Sequence, residues 1–98
     1  MRLSDDVIRA RLEDLPGWRV VGDALVREYR FESFPYAIAF VTTLGFDAEA
    51  RDHHPDLLVS YKRVTVTWST HSTGGVTEKD FTGARESDRL AAVMGHHA

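Results

Sequence analysis

The sequence predicts a single α+β domain in the order α-β-β-α-β-β-α, with a four-stranded antiparallel sheet and helices packed on one face. Two observations carry this reading. Segments with apolar residues every three or four positions, each opened by Ser or Thr, are interleaved with segments where apolar and polar residues alternate. The alternating segments fall in two close pairs, the first joined by the tight link Gly22-Asp23, which makes it a hairpin. A length of 98 residues allows one domain over 1–98 with a modest core.

Ser4 caps a first helix over Asp5–Asp14, with Asp5 and Asp6 in the turn where the helix dipole favours negative charge. Val7, Ile8, Leu12 and Leu15 form its stripe, and Pro16-Gly17 ends it. Trp18–Val21 reads as a short strand and Ala24–Phe31 as its partner. In the latter, Leu25, Tyr29 and Phe31 face one way and Val26, Glu28 and Arg30 the other. Ser33 caps the middle helix, whose first turn tolerates Pro35 because it needs no donor. Phe34, Ala37, Ile38, Val41, Gly45 and Ala48 form one apolar stripe, and Tyr36, Phe40 and Leu44 a second. A helix apolar over more than half its circumference has two partners. In so small a chain the second partner is expected to be another subunit, with Tyr36, Phe40 and Leu44 at the contact.

Pro55 is expected to stop this helix, leaving His53 at or just past its end and His54 extended. Leu57–Tyr61 and Val64–Thr70 read as the second strand pair. Val64, Val66 and Trp68 point inward, and regular alternation would put His71 on the side of Thr65, Thr67 and Ser69. After a loop at Ser72–Gly75, Thr77 caps a last helix from Glu78 to about Met94. Phe81, Ala84, Leu90, Ala91 and Met94 are its apolar positions. Gly83 and the polar run Arg85–Arg89 interrupt that stripe and predict partial exposure. The end, His96-His97-Ala98, is expected to be a disordered tail.

Composition removes several function classes. A net charge of −3 without a basic stripe argues against direct nucleic-acid binding. The absence of cysteine removes disulfides and thiolate metal sites. The first residues lack the apolar run of a signal peptide, and no segment approaches the length of a membrane span, so a cytoplasmic protein is expected.

Chemistry concentrates in two clusters, Asp52-His53-His54-Pro55 and Ser69-Thr70-His71. Histidine exchanges protons near neutrality, so three of them in one pocket suit acid–base work. Glu49, Asp52 and the negative end of the middle helix surround His53 with negative potential. Ser69, Thr70 and Ser72 offer hydroxyls to a heterocycle. Two other readings stand beside this one. Adjacent histidines at a helix end can simply cap carbonyls. Three histidines can also hold a catalytic zinc, although neighbours such as His53 and His54 point in different directions and lack the usual helical ligand spacing.

Glu49, His53-His54-Pro55, Tyr61, His71 and Asp80 together resemble the signature of the pterin-4a-carbinolamine dehydratases, also known as dimerisation cofactors of a homeodomain transcription factor. The likeness continues through Arg2-Leu3-Ser4, Gly17-Trp18, Phe31 and Phe34, and Gly75. It implies dehydration of a 4a-hydroxytetrahydropterin to the quinonoid dihydropterin, as part of pterin recycling, with no metal or organic cofactor. It implies His53, His54 and His71 as catalytic residues, with Glu49, Asp52, Pro55, Ser69, Thr70 and Ser72 around the pterin and Trp18, Tyr61 and Asp80 in support. It also implies a homodimer or homotetramer whose sheets join across subunits. Leu57, Lys62, Gly83 and the polar run Arg85–Arg89 depart from the family pattern, which touches the last-helix contacts and leaves the histidines intact. Some proteins with this fold are non-catalytic assembly or regulatory factors, so a dimerisation module is the alternative reading.

Overall fold

A computed structural model of the chain describes residues Met1–His97. The elements are α1 (Asp5–Leu12), β1 (Arg19–Val21), β2 (Ala24–Arg30), α2 (Phe34–Arg51), β3 (Asp56–Ser60), β4 (Arg63–Trp68) and α3 (Glu78–Val93), with a 3-10 turn at His71–Thr73. The order is the expected α-β-β-α-β-β-α. Each helix starts where a hydroxyl takes up a free backbone donor: Ser4 Oγ accepts from Val7 N, Ser33 Oγ from Tyr36 N and Thr77 Oγ1 from Lys79 N.

The strands form one open antiparallel sheet in the order β1-β2-β4-β3. Register sets its two faces. Leu25 lies opposite Trp68, Tyr29 opposite Val64 and Leu57 opposite Val66, and this face is buried beneath the helices. Ala37, Phe40, Leu44 and Ala48 of α2 and Phe81, Ala84, Leu90 and Ala91 of α3 complete the core. The other face, which carries Glu28, Arg30, Arg63 and Leu58, is open.

Four local expectations give way to tertiary structure. First, the buried face of α2 is drawn from both apolar stripes, Ala37 and Ala48 from one and Phe40 and Leu44 from the other, while Tyr36 of the predicted contact stays half exposed. Phe40 and Leu44 are fully buried in the core, whereas Phe34 and Ile38 are exposed, with Val41 half-buried beside them. Phe40 and Leu44 therefore cannot be a subunit contact. Helical periodicity shows that a helix has apolar stripes but not which of their residues meet the sheet. Second, α2 ends three residues before Pro55 can act. Asp52 adopts the left-handed conformation at φ 54°, its N–H reaches Glu49 O, and His53 N–H reaches Ala48 O at 3.2 Å. This is a Schellman motif with Asp in place of the usual Gly.

Third, α3 is partly exposed as expected, with Arg85 and Arg89 outside, but Gly83 and Ser87 of the interrupted stripe lie inside and Asp88 is half-buried against the sheet. A Cβ on Gly83 would lie 2.5 Å from the Trp68 indole, so glycine is what lets α3 rest directly on that ring. Ser87 is fully buried and accepts from Trp68 Nε1 at 3.0 Å while donating to Gly83 O. Asp88 Oδ1 accepts from Trp18 Nε1, Arg27 Nη1 and the Tyr29 hydroxyl. The helix is held by hydrogen bonds where an apolar stripe was missing. Fourth, two residues of the expected tail are placed. His97 N–H donates to Arg30 O at 2.6 Å, and the His96 ring meets Tyr29 edge-on at 5.3 Å. Ala98 lies outside the described residues.

Burial, reinforced by the hydrogen bond to Asp88, pushes the Tyr29 phenol far above its ordinary value. A raised folded-state value means that the stabilisation is complete below the unfolded tyrosine pKa of about 10 and declines as pH rises beyond it, because only the unfolded chain then ionises. Urea midpoints should therefore fall progressively above about pH 10. Tyr29→Phe should be less stable near neutrality and show a shallower alkaline decline.

Candidate active site

The Schellman motif aims the chain away from α2 just as the first cluster begins. His53 leaves the helix inward and His54 outward. The antiparallel pairing of Asp56 with Thr67 brings the end of β4 alongside them. β4 stops at Trp68, so alternation does not carry through to His71. The chain turns at Thr70 into the 3-10 turn, closed by Gly74 at φ 69°. A bridge between Thr70 and Gly75 ties both ends of this loop together.

One cavity of about 260 Å³ results. Asp52, His53 and His54 line it from the end of α2, Ser69 and Thr70 from beyond β4, His71 and Ser72 from the turn, and Lys79 from α3. A neighbouring cavity of about 330 Å³ shares His53 and Lys79 and extends over Trp68 and Gly83. The catalytic and hydroxyl-bearing residues expected from the sequence thus converge, although the two clusters are separated by two strands.

The two adjacent histidines have different partners. His53 Nε2 lies 2.7 Å from Asp80 Oδ1, and its ring stacks on Trp68 with centroids 5.3 Å apart and planes 23° from parallel. Asp80 is fully buried. A carboxylate only accepts, so Nε2 carries the proton in this contact, and in the neutral ring Nδ1 is the bare nitrogen. His54 Nε2 instead donates to Glu49 Oε1 at 2.7 Å, on the surface, where a pair contributes little to stability. Glu49 is therefore the partner of His54 and not, as its spacing suggested, of His53. The His71 side chain is exposed and has no hydrogen-bond partner among the described residues.

Asp80 serves two structures at once. Its Oδ2 accepts from Thr77 N at 2.9 Å, which with the Thr77 side chain makes the capping box of α3. The same oxygen accepts from the Thr70 hydroxyl at 2.8 Å. Its other oxygen holds His53.

A family model described as "Pterin 4 alpha carbinolamine dehydratase" matches residues 1–90. The chain belongs to this family. It is 48% identical over 92 residues to a provisionally named pterin-4-alpha-carbinolamine dehydratase of Thermosynechococcus vestitus, covering 94% of this chain and 97% of that one. It is similar throughout to a crystal structure of a transcriptional coactivator/pterin dehydratase from Brucella melitensis. That match has TM-score 0.89 and 38% identity, over 93% of this chain and 99% of the other. A pterin dehydratase-like protein described as a RuBisCO assembly factor in the alpha-carboxysome shares the fold at TM-score 0.63 and 21% identity, over 76% of this chain and 86% of its own.

Not every residue of the family's pattern reaches the cavity. Asp80 sits behind His53, Glu49 outside His54, and Pro55 leads the chain into β3. Tyr61 lies in the β3–β4 turn at the far end of that hairpin, exposed and left-handed at φ 56°. Trp18 is buried under Asp88 near the opposite sheet edge. Neither lines the cavity. Conversely, Lys79, Trp68 and Thr77 border or support the site without having been expected there. The Thr77-x-x-Asp80 spacing of a capping box was the one available signal for Thr77.

Asp80→Asn can keep the Thr77 N–H and Thr70 hydroxyl on its amide oxygen but turns N–H₂ towards His53 Nε2, so the charged contact is lost and the bond survives only if the ring proton moves to Nδ1. The variant should lose about 1–3 kcal/mol of stability in urea titration. A smaller loss would mean that the His53 ring adapts by moving its proton.

Proposed function

We propose that this protein dehydrates a 4a-hydroxytetrahydropterin to the quinonoid dihydropterin and water, the recycling step that follows aromatic hydroxylation by a pterin-dependent enzyme. The observation that carries the proposal is the convergence of His53, His54 and His71 on one cavity, with a buried carboxylate behind His53. Family membership supports it.

The reaction breaks the bond between carbon 4a and its hydroxyl and removes the proton from the adjacent ring nitrogen. The electron pair left on nitrogen forms the new double bond, and the hydroxyl departs as water once protonated. No electrons are exchanged with a second reactant, so the step as written calls for no redox cofactor, and no metal is part of the proposal. His53 suits the base role. Its Nδ1 takes the ring proton, and Asp80 compensates the imidazolium charge so formed. His71, exposed at the cavity rim, suits the delivery of a proton to the leaving hydroxyl. His54, held by Glu49, orients the hydroxyl region, while Asp52, Ser69 and Ser72 offer polar contacts to the heterocycle.

His53→Ala and His71→Ala should each lower kcat by about 10²–10⁴-fold, measured by following quinonoid dihydropterin formation from enzymatically generated carbinolamine. Wild-type turnover in both variants would remove the assignment. No turnover by the wild-type chain would favour the alternative, a dimerisation or assembly module such as the one named for the more distant structural neighbour.

Self-association belongs to the same proposal, with its contact moved to the outer strip of α2. Phe34 and Ile38 are 46% and 39% exposed, too apolar to be left bare on a soluble protomer. A symmetric homodimer or homotetramer would cover them, and sheet edges could pair about the same axis. Ile38→Asp should shift the mass found by light scattering at micromolar concentration towards the protomer. Phe40→Asp should instead unfold the chain, because Phe40 is core. A monomeric wild-type protein would contradict self-association.

A further inference from the structure

Thr70 lines the cavity by position, yet it is 8% exposed and its hydroxyl faces inward. Its Oγ1 lies 2.8 Å from Thr77 Oγ1 and 2.8 Å from Asp80 Oδ2. Each threonine hydroxyl has one proton, and a carboxylate has none to give. The directions in this cluster are therefore determined. Lys79 N–H donates to Thr77 Oγ1, the Thr77 hydroxyl to Thr70 Oγ1, and the Thr70 hydroxyl to Asp80 Oδ2. Thr77 N–H donates to the same Oδ2, and His53 Nε2–H to Oδ1. With two donors fixed on Oδ2, the carboxylate cannot rotate about its own axis, and Oδ1 stays aimed at the His53 ring.

The consequence lies at the far nitrogen of that ring. His53 Nδ1 has no hydrogen-bond partner among the described residues and is not buried, and His53 lines the cavity. We infer that Thr70 and Thr77 are positioning residues: a one-way chain of hydroxyls from the first turn of α3 keeps Asp80 a pure acceptor and holds His53 with its proton on Nε2 and its lone pair on Nδ1 facing the substrate. Thr70 is thereby removed from the set of substrate contacts expected from the sequence. The cap of the last helix becomes part of the machinery that prepares the base. The kinetic part of this inference rests on the dehydratase reading, whereas the tautomer part does not.

The experiment compares the wild-type protein with Thr70→Val, Thr70→Ser, Thr77→Val and Thr77→Ser. Imidazole nitrogens are read by 15N-histidine spectra of the full chain, and turnover is read with carbinolamine. The wild type should show His53 as a single Nε2–H tautomer. Thr70→Val should show mixed tautomers, with kcat lowered roughly ten-fold or more and KM within about two-fold. Thr77→Val should show the same pattern more weakly, and both serine variants should restore the wild-type spectrum and kcat. If Thr70→Val fails to fold, the Thr77 pair carries the same test. An unchanged His53 spectrum in the valine variants, or a raised KM with unchanged kcat in Thr70→Val, would overturn the inference. A wild-type chain without turnover would overturn the dehydratase reading alone, since the spectra would still decide the tautomer.

Discussion

The fully buried carboxylate of Asp80 is the constraint on which this end of the molecule depends. An ionised group out of water costs several kcal/mol unless donors surround it, and leaving one such donor out is correspondingly expensive. The fold supplies donors from three separate segments: His53 after α2, Thr70 after β4, and the Thr77 N–H at the start of α3. Satisfying one charge therefore brings together the three pieces of chain that build the cavity. It also means that the position of the His53 ring and the integrity of the last helix are not independent quantities.

The adjacency of His53 and His54 takes on meaning in this light. The left-handed Asp52 turns the chain so that two consecutive imidazoles meet opposite surroundings, one stacked on Trp68 with a buried carboxylate behind it, the other in solvent with Glu49. Divergent nitrogens with separate acceptors suit two proton-handling roles better than a shared ligand set. A single His at this junction could have been a simple carbonyl cap. Here the two have distinct partners and share a cavity with a third histidine, His71, from another segment.

The same logic of polar groups in the interior runs along α3. Ser87, bonded to Trp68, and Asp88, bonded to Trp18, Arg27 and Tyr29, tie the helix to the sheet through specific hydrogen bonds, while Gly83 brings backbone against the indole. Such contacts are directional, so they fix how far α3 can slide over the sheet in a way that an apolar stripe would not. Because Asp80 lies on the same helix, that fixed placement extends to the end that borders the cavity.

Fold class, element order and the caps at Ser4, Ser33 and Thr77 could be read from the sequence because they depend on neighbours a few positions away. Period, hydroxyl and turn residue all lie within one helical turn or one hairpin. The membership of the cavity was legible for a similar reason: His53, His54, Ser69, Thr70, His71 and Ser72 sit in two short clusters that a single strand pairing can juxtapose. What the sequence could not decide was partnership across long separations. Whether Phe40 or Ile38 faces the sheet, whether Glu49 or Asp80 takes His53, and whether Ser87 and Asp88 face water or the interior depend on which surfaces are packed together. Periodicity states that a helix has faces, but burial and the need to satisfy a buried charge choose among them, and both exist only once the chain is folded.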